Sequence, residues 1–268
     1  MQKLGVAILG ATGAVGQRFI QLLENHPWFE VKEVIGSSRS AGRPYGEMVN
    51  WVLDGSVPTS VKDLTVKSSD APLESLLIFS ALPKEAAEVE FQLAAAGHMV
   101  CTNAGLNRMH EDVPLLLPEV NADHVQLINV QRRKRGFTTG GVVANSNCTA
   151  MPVVMAFAPL LKYGVSKYLV VSQQATSGAG YPGVASLDIL DNVIPYVGGD
   201  EQKLETEPLK MLGRLNGERV EQLNAIPSAS CNRVPVVDGH LVNVSVTLDA
   251  APELDEMIEA WDAFRGSP

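Results

Sequence analysis

The stretch Leu4-Gly5-Val6-Ala7-Ile8-Leu9-Gly10-Ala11-Thr12-Gly13-Ala14-Val15-Gly16-Gln17 decides the fold. Its first six residues carry no polar side chain, which suits a strand buried on both faces of a parallel sheet. Glycines at 10, 13 and 16 follow, and a helical pattern then runs over residues 14–25. A glycine-rich turn from strand to helix lets backbone N–H groups approach a pyrophosphate at the helix N-terminus, where the dipole favours an anion. The spacing is GxxGxxG rather than GxGxxG and also fits a plain tight turn. Its place directly after the first strand favours the phosphate.

Outward from this unit, apolar runs at residues 31–36, 76–81, 98–102 and 142–145 alternate with helical patterns. One helix is expected to open at Pro83, since proline suits a first helical turn. The alternation predicts an α/β fold, a doubly wound parallel sheet that forms a dinucleotide-binding domain over residues 1–147. The texture then changes. A buried helix is expected over 149–163, a strand over 166–173, a helix near 182–192 and a charged helix over 200–212. Strand patterns at 222–235 and 240–248 read as a hairpin around Asp238-Gly239. Residues 148–268 therefore make a second, α+β domain.

At 268 residues, 46% hydrophobic and 19% charged, the chain can bury one large core or two moderate ones, so it is not disordered. A formal charge of −9 supplies no overall positive field for nucleic acid or an anionic membrane. The one basic run, Arg132-Arg133-Lys134-Arg135, reads as a solvated loop. No stretch approaches the ~18 apolar residues of a membrane helix, and the apolar start is too short for a signal peptide. Three widely spaced cysteines, Cys101, Cys148 and Cys231, suit free thiols in a reducing compartment, with no CxxC pair for zinc. The expectation is a cytoplasmic protein without a metal.

The second strand continues into Ser37-Ser38-Arg39-Ser40, with no acidic residue to bind a ribose 2′-hydroxyl. Hydroxyls and a guanidinium there suit a 2′-phosphate, so NADP is favoured over NAD. An ordinary polar loop is the alternative. Cys148 lies in Ser146-Asn147-Cys148-Thr149, between a strand and an apolar helix. A helix N-terminus is expected to stabilise its thiolate, and nearby N–H groups to receive an oxyanion. A thiolate displaces a good leaving group, and the thioester formed accepts hydride more readily than a carboxylate does. Taken alone, the pattern fits a buried structural cysteine better than a nucleophile, and that is the reading given to Cys101 and Cys231.

Several motifs in order now carry a resemblance. They are GATGAVGQ at 10–17, SSRSAG at 37–42, SALP at 80–83, Asn103, Arg108-Met109, DVPLLLPEVN at 112–121 and SNCT at 146–149. QATSGAGYPG at 174–183, ETEPLKMLG at 205–213 and NRVPVVDGH at 232–240 complete the series. The chain resembles the aspartate-β-semialdehyde dehydrogenases of archaea, fungi and some other microbes. The resemblance implies a Rossmann domain followed by a catalytic and dimerisation domain, in a homodimer or homotetramer. It implies the reductive dephosphorylation of L-4-aspartyl phosphate by NADPH, giving L-aspartate 4-semialdehyde and phosphate. The product leads to lysine through diaminopimelate, and to threonine, methionine and isoleucine.

Carried over residue by residue, the resemblance makes Cys148 the acylated nucleophile, Asn147 a residue that shapes the site, and Gln174 a substrate-orienting group. His240 becomes the acid/base that takes the thiol proton and later protonates the hemithioacetal oxygen. Arg233 pairs with the substrate α-carboxylate, Arg108 and Lys203 with phosphate, and Asn103 lies in the substrate site. Cofactor contacts are implied at Gly10, Thr12, Gly13, Ala14, Val15, Gly16, Ser37, Arg39, Ser40, Ser80, Ser177 and Gly178. Arg233 and His240 stand seven residues apart, on opposite faces if they share a strand, so the Asp-Gly turn or a bulge must re-aim one of them.

Two features depart from the family. The glutamate usual three residues before the lysine is Asp200 here, with Glu201 beside it, which leaves the substrate ammonium contact open between them. The family pattern also runs several dozen residues past the equivalent of Pro268, which leads to the expectation of a nucleotide-binding domain and cleft with weak or no turnover. A related acyl-CoA reductase, of the malonyl-CoA type, is the alternative of the same chemistry; N-acetyl-γ-glutamyl-phosphate reductase is more distant in its cysteine motif. A truncated, non-catalytic paralogue is the alternative of another class, against which Cys148 and His240 both stand.

Overall fold

A computed structural model describes residues 2–266. The chain divides into two compact units, one running through Asn107 and resuming over Ile128–Asn145, the other made of Arg108–Leu127 and the chain from Ser146 onward.

The first unit holds strands β1 (Leu4–Leu9), β2 (Phe29–Ile35), β3 (Leu77–Ser80), β4 (Met99–Thr102) and β5 (Gly141–Asn145). They lie in the order β2-β1-β3-β4-β5, every neighbouring pair parallel, as the sequence predicts. Val6, Ala7 and Ile8 are wholly buried, so β1 is central for the reason its unbroken apolar run suggests. The order reverses between β1 and β3, and the glycine turn opens at that switch point, the place where open α/β sheets bind their ligands past the carboxyl ends of the strands. Helix α1 (Ala14–Leu23) follows the turn and ends before Asn25, which takes a left-handed φ of 59°.

Two expectations for this unit need correction. Pro83 opens only a 3₁₀ turn at Lys84–Ala86, and α2 (Val89–Ala95) starts after it. The basic run is not a loop but the last turn of α3 (Leu127–Arg135), whose first residue alone falls outside this unit. Cations there face the negative end of the helix dipole. Arg132 Nε donates to Gly140 O at 2.9 Å, and the Arg135 guanidinium lies 3.8 Å from the Phe91 ring centre.

The second unit is built on a sheet of β6 (Val165–Gln174), β7 (Ile194–Pro195), β10 (Ile226–Arg233) and β11 (Leu241–Leu248), in the order β11-β6-β10-β7. A small antiparallel pair, β8 (Arg214–Asn216) and β9 (Arg219–Glu221), stands apart from it. On one face α5 (Asp200–Met211) lies against β10, and the Tyr168 hydroxyl donates to Leu204 O at 3.1 Å. Before the sheet comes α4 (Ala150–Phe157), which passes into a 3₁₀ turn at Ala158–Tyr163 because Pro159 brings no N–H to continue the helix. Helix α6 (Leu254–Ala263) closes the described chain behind a capping box of Glu253 and Glu256.

The expected hairpin at Asp238-Gly239 does not form. β10 and β11 flank β6 on opposite sides, β10 parallel to it and β11 antiparallel. Residues 234–239 cross over the end of β6 instead of folding back, held by Thr176 N–H to Val236 O at 2.8 Å and Ser177 N–H to Val237 O at 3.1 Å. The helix expected near 182–192 shrinks to Ser186–Ile189, since Gly180, Gly183 and Asp191 all take positive φ.

Candidate active site

The crossover places the chemistry. Gln174 and Arg233 are register partners on β6 and β10, both buried, and Val234 N–H donates to Gln174 O at 3.0 Å. Beyond the crossover the chain enters β11 on the far side of β6, with Leu241 opposite Gln173. Arg233 thus ends β10 while His240 stands one residue before β11, so the two do not share a strand and no bulge is needed to bring them to the same side. Both reach Gly178: a Cβ built there would lie 2.8 Å from Arg233 Nη1 and 3.0 Å from His240 Cε1.

His240 Nε2 is 3.1 Å from Cys148 Sγ, and its Nδ1 faces the Ala175 N–H at 3.0 Å. A backbone N–H can only donate, so Nδ1 accepts, and the neutral ring carries its proton on Nε2, directed at sulfur. The imidazolium would set two N–H groups against each other. Burial and the Arg233 charge hold the His240 pKa below its ordinary value, outweighing Asp200 and Asp238. The resemblance implies that His240 takes the thiol proton; in the arrangement seen here, with the ring neutral, Nε2 faces sulfur as a donor.

The thiol itself departs from expectation. Burial and the Asp200 carboxylate push the Cys148 pKa up, against the N–H groups of Cys148 and Thr149 and the charge of Arg108. The positive helix end is already occupied. Asn147 Oδ1 accepts the Thr149 N–H at 2.9 Å, the Asn147 N–H donates to Glu207 Oε2 at 2.5 Å, and the Ala150 N–H donates to Asn147 O at 3.1 Å. The Cys148 N–H makes no hydrogen bond to another described residue and is the donor left for an oxyanion.

Around the thiol stand the charged groups. Asp200 Oδ1 pairs with Lys203 Nζ at 2.6 Å and lies 3.5 Å from Asn147 Nδ2. Glu201, one residue on, turns to β10 and accepts the Cys231 N–H at 3.0 Å. Arg108 Nη1 is bound to Glu207 Oε1 at 2.9 Å. Glu207 has no place in the sequence reading, although its position, four residues after Lys203 and seven after Asp200, puts it on their face of the helix. Ser177 is exposed in the turn over Arg233 and His240.

The first unit carries the glycine turn. Gly10 has φ +79° and Gly16 no room for a side chain, since its Cβ would overlap Gly10 O and stand 2.7 Å from Ala11 Cα. Gly13 meets only Gly10 O, at 3.6 Å, so its outer face is open, and α1 bears no acidic residue in its first turn to repel an anion. The Tyr45 hydroxyl braces the turn at Ala11 O, 2.8 Å away, and Gln17 Nε2 at Thr12 O, 3.0 Å away. These features fit a dinucleotide phosphate. Ala14 and Val15 begin α1, with Val15 exposed. Ser37 and Arg39 are exposed, whereas Ser40 is buried and spends its hydroxyl on Ser37 O at 3.0 Å. Ser80 donates to buried Glu90 at 2.7 Å, and Asn103 Oδ1 accepts from Asn145 at 2.6 Å. Among the described residues no helix is long and apolar enough to cross a membrane.

Residues 5–128 match the family described as "Semialdehyde dehydrogenase, NAD binding domain", and residues 157–268 the "Semialdehyde dehydrogenase, dimerisation domain". The chain is 46% identical to an aspartate-semialdehyde dehydrogenase of Archaeoglobus fulgidus over 265 residues, covering 98% of this chain and 77% of that protein. It is 41% identical to one from Schizosaccharomyces pombe, covering 98% and 76%. The solved structure of aspartate semialdehyde dehydrogenase with NADP from Candida albicans superposes with a TM-score of 0.88 at 35% identity, covering 96% of this chain and 75% of that one.

Proposed function

The chain belongs to the aspartate-semialdehyde dehydrogenase family, and we infer that it carries out the family's reaction, converting L-4-aspartyl phosphate, NADPH and a proton to L-aspartate 4-semialdehyde, NADP and phosphate. The observation that carries this reading is the 3.1 Å contact of the Cys148 thiol with His240 Nε2, set among two arginines, a lysine and a carboxylate. The charges match a substrate with an α-carboxylate, an α-ammonium and a transferable phosphoryl group.

Cys148 attacks the acyl phosphate as thiolate, the C–O bond to phosphate breaks, and the phosphate leaves toward Arg108 and Lys203. NADPH, when bound, supplies the hydride that reduces the thioester to a hemithioacetal. The Cys148 N–H and His240 Nε2–H donate to its oxyanion, whose collapse returns the aldehyde and the thiolate. The thiol first releases its proton to solvent; sulfur then enters and leaves the cycle as thiolate, and the one proton taken up ends on phosphate. A donor at Nε2 is therefore sufficient for His240. Arg233 holds the α-carboxylate beside Gln174, and Asp200 takes the ammonium, because Glu201 is committed to β10. Asn147 shapes the loop and Asn103 belongs to the substrate site.

For the cofactor, Gly10, Thr12, Gly13, Ala14, Val15 and Gly16 would hold the pyrophosphate, and Ser37 and Arg39 the 2′-phosphate. Ser40 supports that loop from beneath; Ser80, Ser177 and Gly178 complete the set. On this reading residues 1–147 form the NADP-binding domain and 148–268 the catalytic and dimerisation domain of a cytoplasmic enzyme, with Ser177 and Gly178 serving the cofactor from the second and Asn103, Arg108 and Asn147 the substrate from the first. The dimerisation-domain match is joined by an open sheet face, on which Leu169, Ile226 and Leu241 are exposed. A second copy covering that face gives a homodimer, or pairs of them a tetramer.

The test is phosphate-dependent NADP reduction with aspartate semialdehyde. Turnover that requires both phosphate and Cys148, and is lost in Cys148→Ser with NADP binding retained, supports the reading. Reduction of malonyl-CoA with no response to phosphate refutes it.

A further inference from the structure

The carboxylate of Glu207 lies 2% exposed inside the second unit and has two partners of different kinds. Oε1 receives Arg108 Nη1 at 2.9 Å, and Oε2 receives the Asn147 N–H at 2.5 Å, one residue before the nucleophile. Three residues along α5, buried Lys210 donates to the carbonyls of Arg108, His110 and Val113 at 2.7, 2.8 and 2.8 Å. The segment carrying Arg108 is thus tied to α5 by its side chain and its backbone, and the same helix grips the loop that carries Cys148. Asp200, Lys203, Glu207 and Lys210 recur at three- and four-residue steps, so one helix face makes all these contacts.

We propose that Glu207 is a positioning residue that sets the phosphate-binding guanidinium of Arg108 and the Asn147–Cys148 peptide in register, so that the anion leaves from the point where the thiolate attacks. The inference rests on the function proposed above. Only a carboxylate meets the demand, since both partners are donors and each needs its own acceptor oxygen. The glutamine variant offers one oxygen and one NH₂, and the NH₂ opposes either the guanidinium or the amide. By occupying the Asn147 N–H, Glu207 also leaves the Cys148 N–H as the donor for the oxyanion.

The experiment compares the parent protein with Glu207→Gln and Glu207→Asp. Steady-state rates are taken in the phosphorylating direction with phosphate, semialdehyde and NADP varied in turn, and each variant's thermal melt is recorded. In parallel, iodoacetamide labelling of Cys148 is followed by peptide mass spectrometry over a range of inorganic phosphate concentrations. The expected result for Glu207→Gln is a KM for phosphate raised about tenfold or more and a kcat reduced by a similar factor, with the KM for NADP unchanged. The phosphate needed to protect Cys148 rises in step. Glu207→Asp, which keeps the charge but reaches less far, falls between, and carries the test if Glu207→Gln does not fold. Parental phosphate KM and parental protection in the folded variants overturn the proposal, as does a loss of kcat that follows the melt while every KM stays put. If the parent shows no phosphate-dependent turnover the functional reading fails, yet labelling still decides: protection by phosphate in the parent that is lost in the variants supports Glu207, and equal or absent protection in all three overturns it.

Discussion

Replacing Gly178 with alanine adds one methyl group at the point where Arg233 and His240 come together. The backbone accepts it, because Gly178 does not take a left-handed φ. The space does not. The new Cβ lies 2.8 Å from Arg233 Nη1, 3.0 Å from His240 Cε1 and 3.2 Å from His240 Nε2, where ordinary contact begins at 3.4 Å. The guanidinium must yield by about 0.6 Å and the ring by about 0.4 Å to restore normal contact. Neither has slack. Arg233 Nη1 is fixed to Ala175 O at 2.7 Å, and His240 is held between the Ala175 N–H at 3.0 Å and Cys148 Sγ at 3.1 Å. A misplacement of 1 Å costs about a hundredfold in rate, so some 0.4 Å at His240 predicts a kcat lower by about five- to tenfold. The shift at Arg233 adds a rise of similar size in the KM for semialdehyde, and kcat/KM falls by about 2 kcal/mol or somewhat more. The assay is NADP reduction at saturating phosphate with semialdehyde varied, beside a thermal melt to show that the fold is intact. A folded Gly178→Ala enzyme with kcat and KM within twofold of the parent would refute the claim that this glycine sets the spacing of the pair.

Arg39→Ala should raise the KM for NADP about tenfold while leaving that for NAD unchanged, since one charge-assisted contact to the 2′-phosphate disappears; a parent that uses both cofactors equally would contradict this. His240 should show the Nε2–H tautomer by ¹⁵N NMR at pH 7 and become imidazolium only below its ordinary 6.5, because burial and Arg233 oppose the charge; a Nδ1–H signal would be inconsistent with the Ala175 contact. Burial pushes the Glu33 pKa up, but Lys67 Nζ and the N–H groups of Ser75 and Glu74 outweigh it and bring it from 4.5 to about 2. A carboxylate lowered by folding stabilises fully above pH 4.5 and loses that contribution as pH falls toward 2, roughly 3 kcal/mol in all. Glu33→Gln should flatten the melting temperature between those pH values, and an unchanged slope would remove the carboxylate as its cause.

Much of the first unit was legible because its signals are local. The strand at residues 4–9 shows its burial in an unbroken apolar run, and the glycines that follow need only the turn they occupy to explain them. SNCT showed its place between a strand and an apolar helix, whereas the role proposed for Cys148 came from the resemblance and not from that place. The basic run misled because residues 127–130 look too short for a helix of their own, and its cations prove to be the helix end.

What the amino-acid order by itself determined was the class of sheet, the phosphate turn, and the residue types that chemistry at a thioester requires. Pairing belongs to the tertiary structure. Two strands joined by a turn can fold back on each other or flank a third, and nothing within residues 222–248 reveals that β6 fills the gap. That insertion alone brings Arg233 and His240 to Gly178. The same holds for charge and protonation. Asp200 and Glu201 are equivalent in sequence until α5 turns one toward Lys203 and the other toward β10. The thiol expected to be acidified meets instead a helix end already occupied by Glu207 and Asn147. Hydrogen-bond partners distant along the chain decide these properties, because a donor's direction and a carboxylate's distance exist only once the strands have been ordered.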